Sequence, residues 1–350
     1  MLRLEARPAP SVVMSYAAPV IALIITMVFG TLLFIALGKA PVAGLKVFFI
    51  TPLETLRGAS EVVLKMIPLL LCALGLAICY RSNVWNIGAE GQLVVGGVAA
   101  GGVALLAAPD SARAFFVLVL LAGMLGGMGW AALTAFLRDK FNANEILVSL
   151  MLTYVGGLLL LYLVNGPWKD PKGFNFPYSK TFDAAAMVPK LLPGTRLSWG
   201  IVIALLVLVA VWVFLAKSKA GFRLQVAGQA PLAARFAGFS AREGIWTSML
   251  LCGALAGLAG ALEVAGPLGQ LTPQISPGYG FAAIIVVWLG RLHPGGCVFA
   301  AFIMALIYIG GELSQSRLGL PSAITGVFQG MLLLALLTAD TFIHYRLRRT

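Results

Sequence analysis

Apolar runs of about twenty residues, almost free of charge, recur along the chain and are separated by short segments in which glycine, proline and polar residues collect. A bilayer core of about 30 Å takes about 20 helical residues. Ten runs meet or approach that length: 16–38, 62–80, 91–108, 115–136, 146–164, 198–216, 245–266, 278–290, 297–312 and 323–340, of which the eighth and ninth are short. The pattern predicts an all-α polytopic membrane protein with about 10 transmembrane helices.

Composition strengthens this reading. With 60% hydrophobic and 11% charged residues in 350, the chain has too little polar surface to solvate a globule. The net charge of +12 comes from Lys and Arg in short clusters between apolar runs, without the long basic stripe and interleaved aromatics of a nucleic-acid binder. Such clusters fix orientation in a bilayer and meet anionic lipid headgroups. Cys72, Cys79, Cys252 and Cys297 lie in apolar stretches without metal-ligand spacing and read as small core residues. The first run is longer than the apolar region of a signal peptide and lacks a small-residue cleavage site, so it is expected to remain as the first span.

Placing Arg3, Arg7, Arg81, Arg138, Lys140, Lys217, Lys219, Arg223, Arg235, Arg242, Arg291, Arg346, Arg348 and Arg349 on the cytoplasmic side gives an orientation with both termini inside. The chain is then a single transmembrane domain, 1–350. The outer segment 166–197 holds five prolines, which forbid a regular helix, and the aromatics Trp168, Phe174, Phe176 and Tyr178, which suit either an interfacial cap or a landing surface for an extracellular partner. Similar runs stand about half the chain apart, at 69–77 and 250–259 and again at 154–161 and 328–335. Five spans per half would make the halves an inverted 5+5 repeat with broken helices at the centre, and a site between them near mid-membrane.

Two polar interruptions carry the chemistry. The segment 81–92 packs Asn83, Trp85, Asn86, Glu90 and Gln92 between two apolar spans, with Gly88 and Gly91 bracketing Glu90. A lipid-exposed Glu at the bilayer centre costs about 2.5–3.5 kcal/mol on insertion scales, so Glu90 must face protein or water. The segment is either a tight cytoplasmic hairpin or a broken helix lining a pathway. Its counterpart runs from Gly278 to Gly296: Pro277 and Gly278 open a short span, Pro294, Gly295 and Gly296 break it, and Tyr279, Phe281 and Trp288 offer flat faces for stacking or for packing. His293 reads as interfacial, and Glu263 as turned inward. With two His in all and no nucleophile cluster, the chain offers little to an enzyme.

The long cytoplasmic loop, 217–244, is expected to hold a short helix begun by Pro231, favoured by Ala233 and Ala234 and ended at Gly238, with Arg235 on another face. Its pattern Gly221, Arg223, Gly228-Gln229, Ala233-Ala234-Arg235 and Gly238 resembles the coupling loop of ABC-transporter permeases. Asn86-Ile-Gly-Ala-Glu-Gly-Gln92 is similar to the signature of permeases in nucleoside and simple-sugar importers of the branched-chain amino-acid-like family, and the likeness spans nearly the whole chain. The resemblance implies ATP and Mg on separate ATPase subunits, a second and related permease subunit, and an extracytoplasmic substrate-binding protein. No phosphate-binding Gly-x-x-x-x-Gly-Lys-Ser/Thr motif is present, so ATP hydrolysis is expected on another polypeptide, and no cofactor is expected in this chain itself. The expected cargo is a nucleoside-like small molecule, with a simple sugar as alternative, crossing a bacterial inner membrane. An ion-coupled transporter working alone would have only Glu90 and Glu263 as coupling acids.

Overall fold

The computed structural model describes residues 2–7, 11–108 and 110–349. Its main helices, in chain order, are α1 (Val12–Ala36), α2 (Pro41–Leu45), α3 (Leu56–Arg81), α4 (Ala89–Ala104), α5 (Phe115–Phe141) and α6 (Glu145–Asn165). They continue with α7 (Gly200–Lys217), α8 (Lys219–Gln229), α9 (Pro231–Phe236), α10 (Ala241–Glu263), α11 (Tyr279–Leu289), α12 (Pro294–Leu318) and α13 (Ala323–His344). Each of the ten apolar runs falls on a helix, and among the described residues eight helices are long and apolar enough to cross a membrane.

The lengths differ from the sequence reading in two places. The ninth run extends into the 25-residue α12, because Pro294 occupies the first turn, where its missing N–H costs nothing, and so starts a helix instead of breaking one. The interruption falls earlier, at 290–293, where Arg291 and Leu292 take φ of 57° and 55°. The eighth run is short as expected, with 11 residues in α11, and the third is shorter than read: α4 has 16 residues and ends at Ala104, while the chain before it from Ser82 to Gly88 stays non-helical. Helical turns over 41–53 were not among the ten runs.

The order of elements repeats. A long helix, a non-helical gap, a short helix and two long helices occur as α3 to α6 and again as α10 to α13. The similar runs lie on matching members, α3 with α10 and α6 with α13.

The chain forms two compact units. In the unit Val63–Phe302, α4, α5 and α10 make a tight three-helix core. Glycines at the crossings let backbones meet without intervening side chains, as small residues do between membrane helices. A Cβ on Gly127 would stand 2.7 Å from Gly257 Cα, and one on Gly123 would stand 2.5 Å from Ala261 Cβ. One end of this unit gathers Arg138 paired with Glu145, and Arg242 paired with Asp139 at 2.9 Å. At the other end the proline-rich segment forms no long helix, as expected, and is stitched to the chain before α11. Ser179 N donates to Leu271 O at 3.0 Å, Phe182 N to Gly269 O at 2.8 Å and Val188 N to Ala265 O at 2.9 Å.

In the unit Met1–Val62 with Ile303–Thr350, α1 packs along α13, and Phe34, Phe48 and Phe328 form a buried ring cluster. A two-stranded antiparallel ribbon joins β1 (Leu2–Ala6) to β2 (Tyr345–Arg349) in the register Leu2↔Arg349 to Ala6↔Tyr345. The ribbon was not foreseen in the sequence. It sets the segment Leu2–Ala6 beside Tyr345–Arg349.

Candidate functional site

The polar segment after α3 is pinned by its own side chains. Asn83 takes φ 55°, a left-handed conformation that Asn tolerates, and turns the chain back under Tyr80. Its Oδ1 accepts from Trp85 Nε1 at 3.2 Å. Asn86 is fully buried: its Nδ2 donates to Gln92 Oε1 and Cys252 Sγ, both at 3.2 Å, while its Oδ1 accepts from Gly88 N at 2.9 Å and Gln92 Nε2 at 3.3 Å. The two amides thus satisfy each other, as burial requires. In this conformation they brace the start of α4 against α10.

Glu90 faces another way. It is 7% exposed and its Oε2 accepts from Gly280 N at 2.6 Å, with the Ser276 hydroxyl and the Gly278 amide as further donors. These groups belong to the first turn of α11 and the residues just before it. The carboxylate therefore meets the unsatisfied amides and the positive end of the helix dipole. Gly91 permits the approach of α6, since a Cβ there would stand 2.7 Å from Thr153 Cα.

Glu90 also lines a cavity of about 420 Å³ between α4, α6 and the chain leading into α11. Thr153, Tyr154, Gln274, Ser276 and Phe281 lie on its walls, and among the described residues Glu90 is the one charged lining residue.

Of the other aromatic candidates, Trp85 and Trp288 stack at 6.1 Å between centroids, with Tyr80 5.5 Å from the first and 5.9 Å from the second. This trio sits at the end of the unit where α3 stops, away from the cavity lining. Tyr279 is fully buried, with Lys65 Nζ 5.4 Å from its ring centroid. The eight residues named from the sequence thus separate into an aromatic cluster with Asn83, a buried amide pair, the core residue Tyr279, and the cavity residues Glu90 and Phe281.

The loop after α7 folds as two helices. Ser218 caps α8 by accepting from Gly221 N at 2.9 Å. Gly221 lies against α7, and Gly228 against the turn after α3, where a Cβ would stand 2.9 Å from Ser82 Cα. Gln229 is exposed at the end of α8. Pro231 opens α9, and Gly238, with φ 77°, lies just past its end, as the sequence indicated. Ala234 is buried, while Ala233, Arg235, Leu232 and Phe236 are exposed. Arg223 lies over the Phe239 ring at 5.5 Å.

Sequence reasoning missed Thr153, Tyr154, Gln274 and Ser276, which lie outside the two interruptions and reach the cavity only through packing. Ser276 had a local signal, since it stands just before the Pro277-Gly278 helix start. Gly123/Gly127 and Gly253/Gly257 had one too, in the four-residue glycine spacing of close-packed membrane helices.

A multispan helical fold in which the start of one short helix receives a buried carboxylate from another, beside an open cavity, is an arrangement suited to a membrane transport protein. Residues 58–337 match the model of the branched-chain amino acid transport system / permease component family, and the chain belongs to that family. It is 34% identical to the glucose ABC transporter permease protein of Haloferax volcanii, over 99% of this chain and 93% of that one. It is 29% identical to the guanosine ABC transporter permease protein of Bacillus subtilis, over 90% of this chain and 91% of the relative. A nucleoside ABC transporter permease protein of Lactococcus lactis is 28% identical, over 88% of this chain and 87% of the relative. Among solved structures, an inward-facing ABC transporter described as of metal-chelate type shares the fold with a TM-score of 0.51 at 16% identity, covering 93% of this chain and 98% of that one. The chain is a multi-pass ABC-transporter permease subunit, a transport component.

Proposed function

We propose that this permease moves a nucleoside-like solute inward across a bacterial inner membrane, with Glu90 and Phe281 contacting the cargo. The reading rests on the Glu90 cavity: its volume lies within the roughly 300–1,000 Å³ of small-molecule sites, and it is mainly apolar with a few convergent polar groups. Tyr154 and Phe281 offer faces for a flat ring, Thr153, Gln274 and Ser276 can exchange hydrogen bonds with hydroxyls, and Glu90 can accept from a base N–H. The kinship with guanosine and nucleoside permeases supports this cargo. The full-length kinship with a glucose permease favours a second reading, a simple sugar.

In this proposal both termini are cytoplasmic, and ATP and Mg belong to separate ATPase subunits that dock on α9. Leu232 and Phe236, 75% and 92% exposed, would enter a groove of the ATPase, and its closure would push α8 and α9 against the turn at Ser82. A second, related permease would face the exposed α6 residues Tyr154 and Leu158 beside the cavity, and an extracytoplasmic binding protein would deliver cargo at the 166–197 side.

Transport by the assembled importer in proteoliposomes tests the cargo. ATP-dependent uptake of labelled guanosine, blocked by excess nucleoside and untouched by glucose, is the expected result. Uptake of glucose unaffected by nucleosides would replace the leading reading with the second.

A further inference from the structure

Away from the proposed pathway, a second cavity of about 610 Å³ opens where α7 passes into α8. Arg81, Lys217, Lys219 and Arg223 line it, and no carboxylate does. None of the four forms an ion pair among the described residues. Arg81 Nε donates to Leu292 O at 2.9 Å, so that cation is held in place by backbone. Ser218 caps α8 at the same wall, and the positive end of an 11-residue helix adds to the field.

We propose that this cavity binds the phosphate-bearing headgroup of an anionic lipid. The cavity lining carries four cations and no carboxylate, Arg223 also resting on the Phe239 ring and lining the adjoining pocket with Glu243; that excess of positive charge suits an anion, and a phosphoryl group accepts hydrogen bonds from Lys and Arg. The position of the cavity names the source. It lies at the end of α7, a span whose Leu205, Leu206, Val209, Trp212 and Val213 are all exposed, which is the surface of a lipid-facing helix. Trp212, shortly before Lys217, marks the interfacial level where Trp residues collect. A headgroup there would tie α7 to the base of α8 and fix where the following helices start. The site is independent of the cargo and stands whether or not the proposed cargo is right.

Lipid binding to the purified full-length chain in detergent, read by native mass spectrometry, tests this. Phosphatidylglycerol, phosphatidylcholine and inorganic phosphate are the probes, and K217Q/K219Q is compared with K180Q/K190Q in the 166–197 segment. Phosphatidylglycerol should be retained over phosphatidylcholine. At about fivefold per surface cation, K217Q/K219Q should weaken it roughly 25-fold, and K180Q/K190Q should leave it unchanged. Displacement by inorganic phosphate alone would keep the phosphoryl site and reassign its source to a soluble ion. Equal retention of both lipids, or insensitivity to K217Q/K219Q, would overturn the proposal. So would loss of ATPase association in K217Q/K219Q with lipid binding intact, because the cations would then serve a protein partner.

Discussion

Replacing Glu90 probes the contact on which the proposed pathway depends. Its carboxylate accepts from the Gly280 amide at 2.6 Å and also receives the Ser276 hydroxyl and the Gly278 amide. In Glu90→Ala the buried Gly280 amide loses its acceptor, which costs about 1–3 kcal/mol. Loss of a carboxylate from a helix N-terminus adds about 0.3–2 kcal/mol. The sum is roughly 1–5 kcal/mol of stability. Glu90→Gln keeps one acceptor oxygen but loses the charge and replaces the second oxygen with an N–H donor among the remaining donors, which costs about 1–2 kcal/mol. Glu54→Gln is the control: Glu54 is 42% exposed in its pair with Lys46, and an exposed pair is worth about 0–1 kcal/mol. Unfolding of the purified chain in detergent, followed by tryptophan fluorescence, should rank E90A well below E90Q, and E90Q at or slightly below E54Q. Uptake by the reconstituted importer should fall in both Glu90 variants, because each removes the one charge on the cavity wall. Equal stability of E90A and E54Q would refute the helix-capping role, and full transport by E90Q would refute contact of that charge with cargo.

Two further outcomes are expected. Gly257→Val should destabilise the α4–α5–α10 core by about 1–3 kcal/mol or more, since its branched side chain meets the α5 backbone where no rotamer clears it; a monodisperse variant that unfolds with the wild type would contradict this. Ala234→Glu, or Gly238→Val at φ 77°, should abolish co-purification with the ATPase while membrane insertion persists, and unchanged association would remove α9 from the coupling role.

Much of this was legible in the sequence because lipid imposes a simple rule. A helix that must satisfy its own backbone in hydrocarbon announces itself by length and apolarity, and all ten runs proved helical. Pro231 and Gly238 bound α9 for equally local reasons: a fixed φ at the start and an accessible positive φ at the end. Pro294 shows the limit, because the same residue starts or stops a helix according to where the hydrogen-bond ladder begins.

The polar segment 81–92 marks the other boundary. Its composition established that the chain between α3 and α4 is unusual and that Glu90 needs a partner. Composition could not divide Asn86 and Gln92, which bond each other, from Glu90, which reaches α11 190 residues away. Nor could it gather Thr153, Tyr154 and Ser276 around one cavity, or bring Lys219 and Arg223 into one wall with Arg81. The sequence by itself determined the solvent, the spans and the family resemblance, since each depends on hydropathy or on neighbours in the chain. Tertiary structure alone decided which polar groups are consumed by packing and which face open space, because burial and hydrogen bonding between distant helices depend on how closely glycines such as Gly91 and Gly257 let those helices approach.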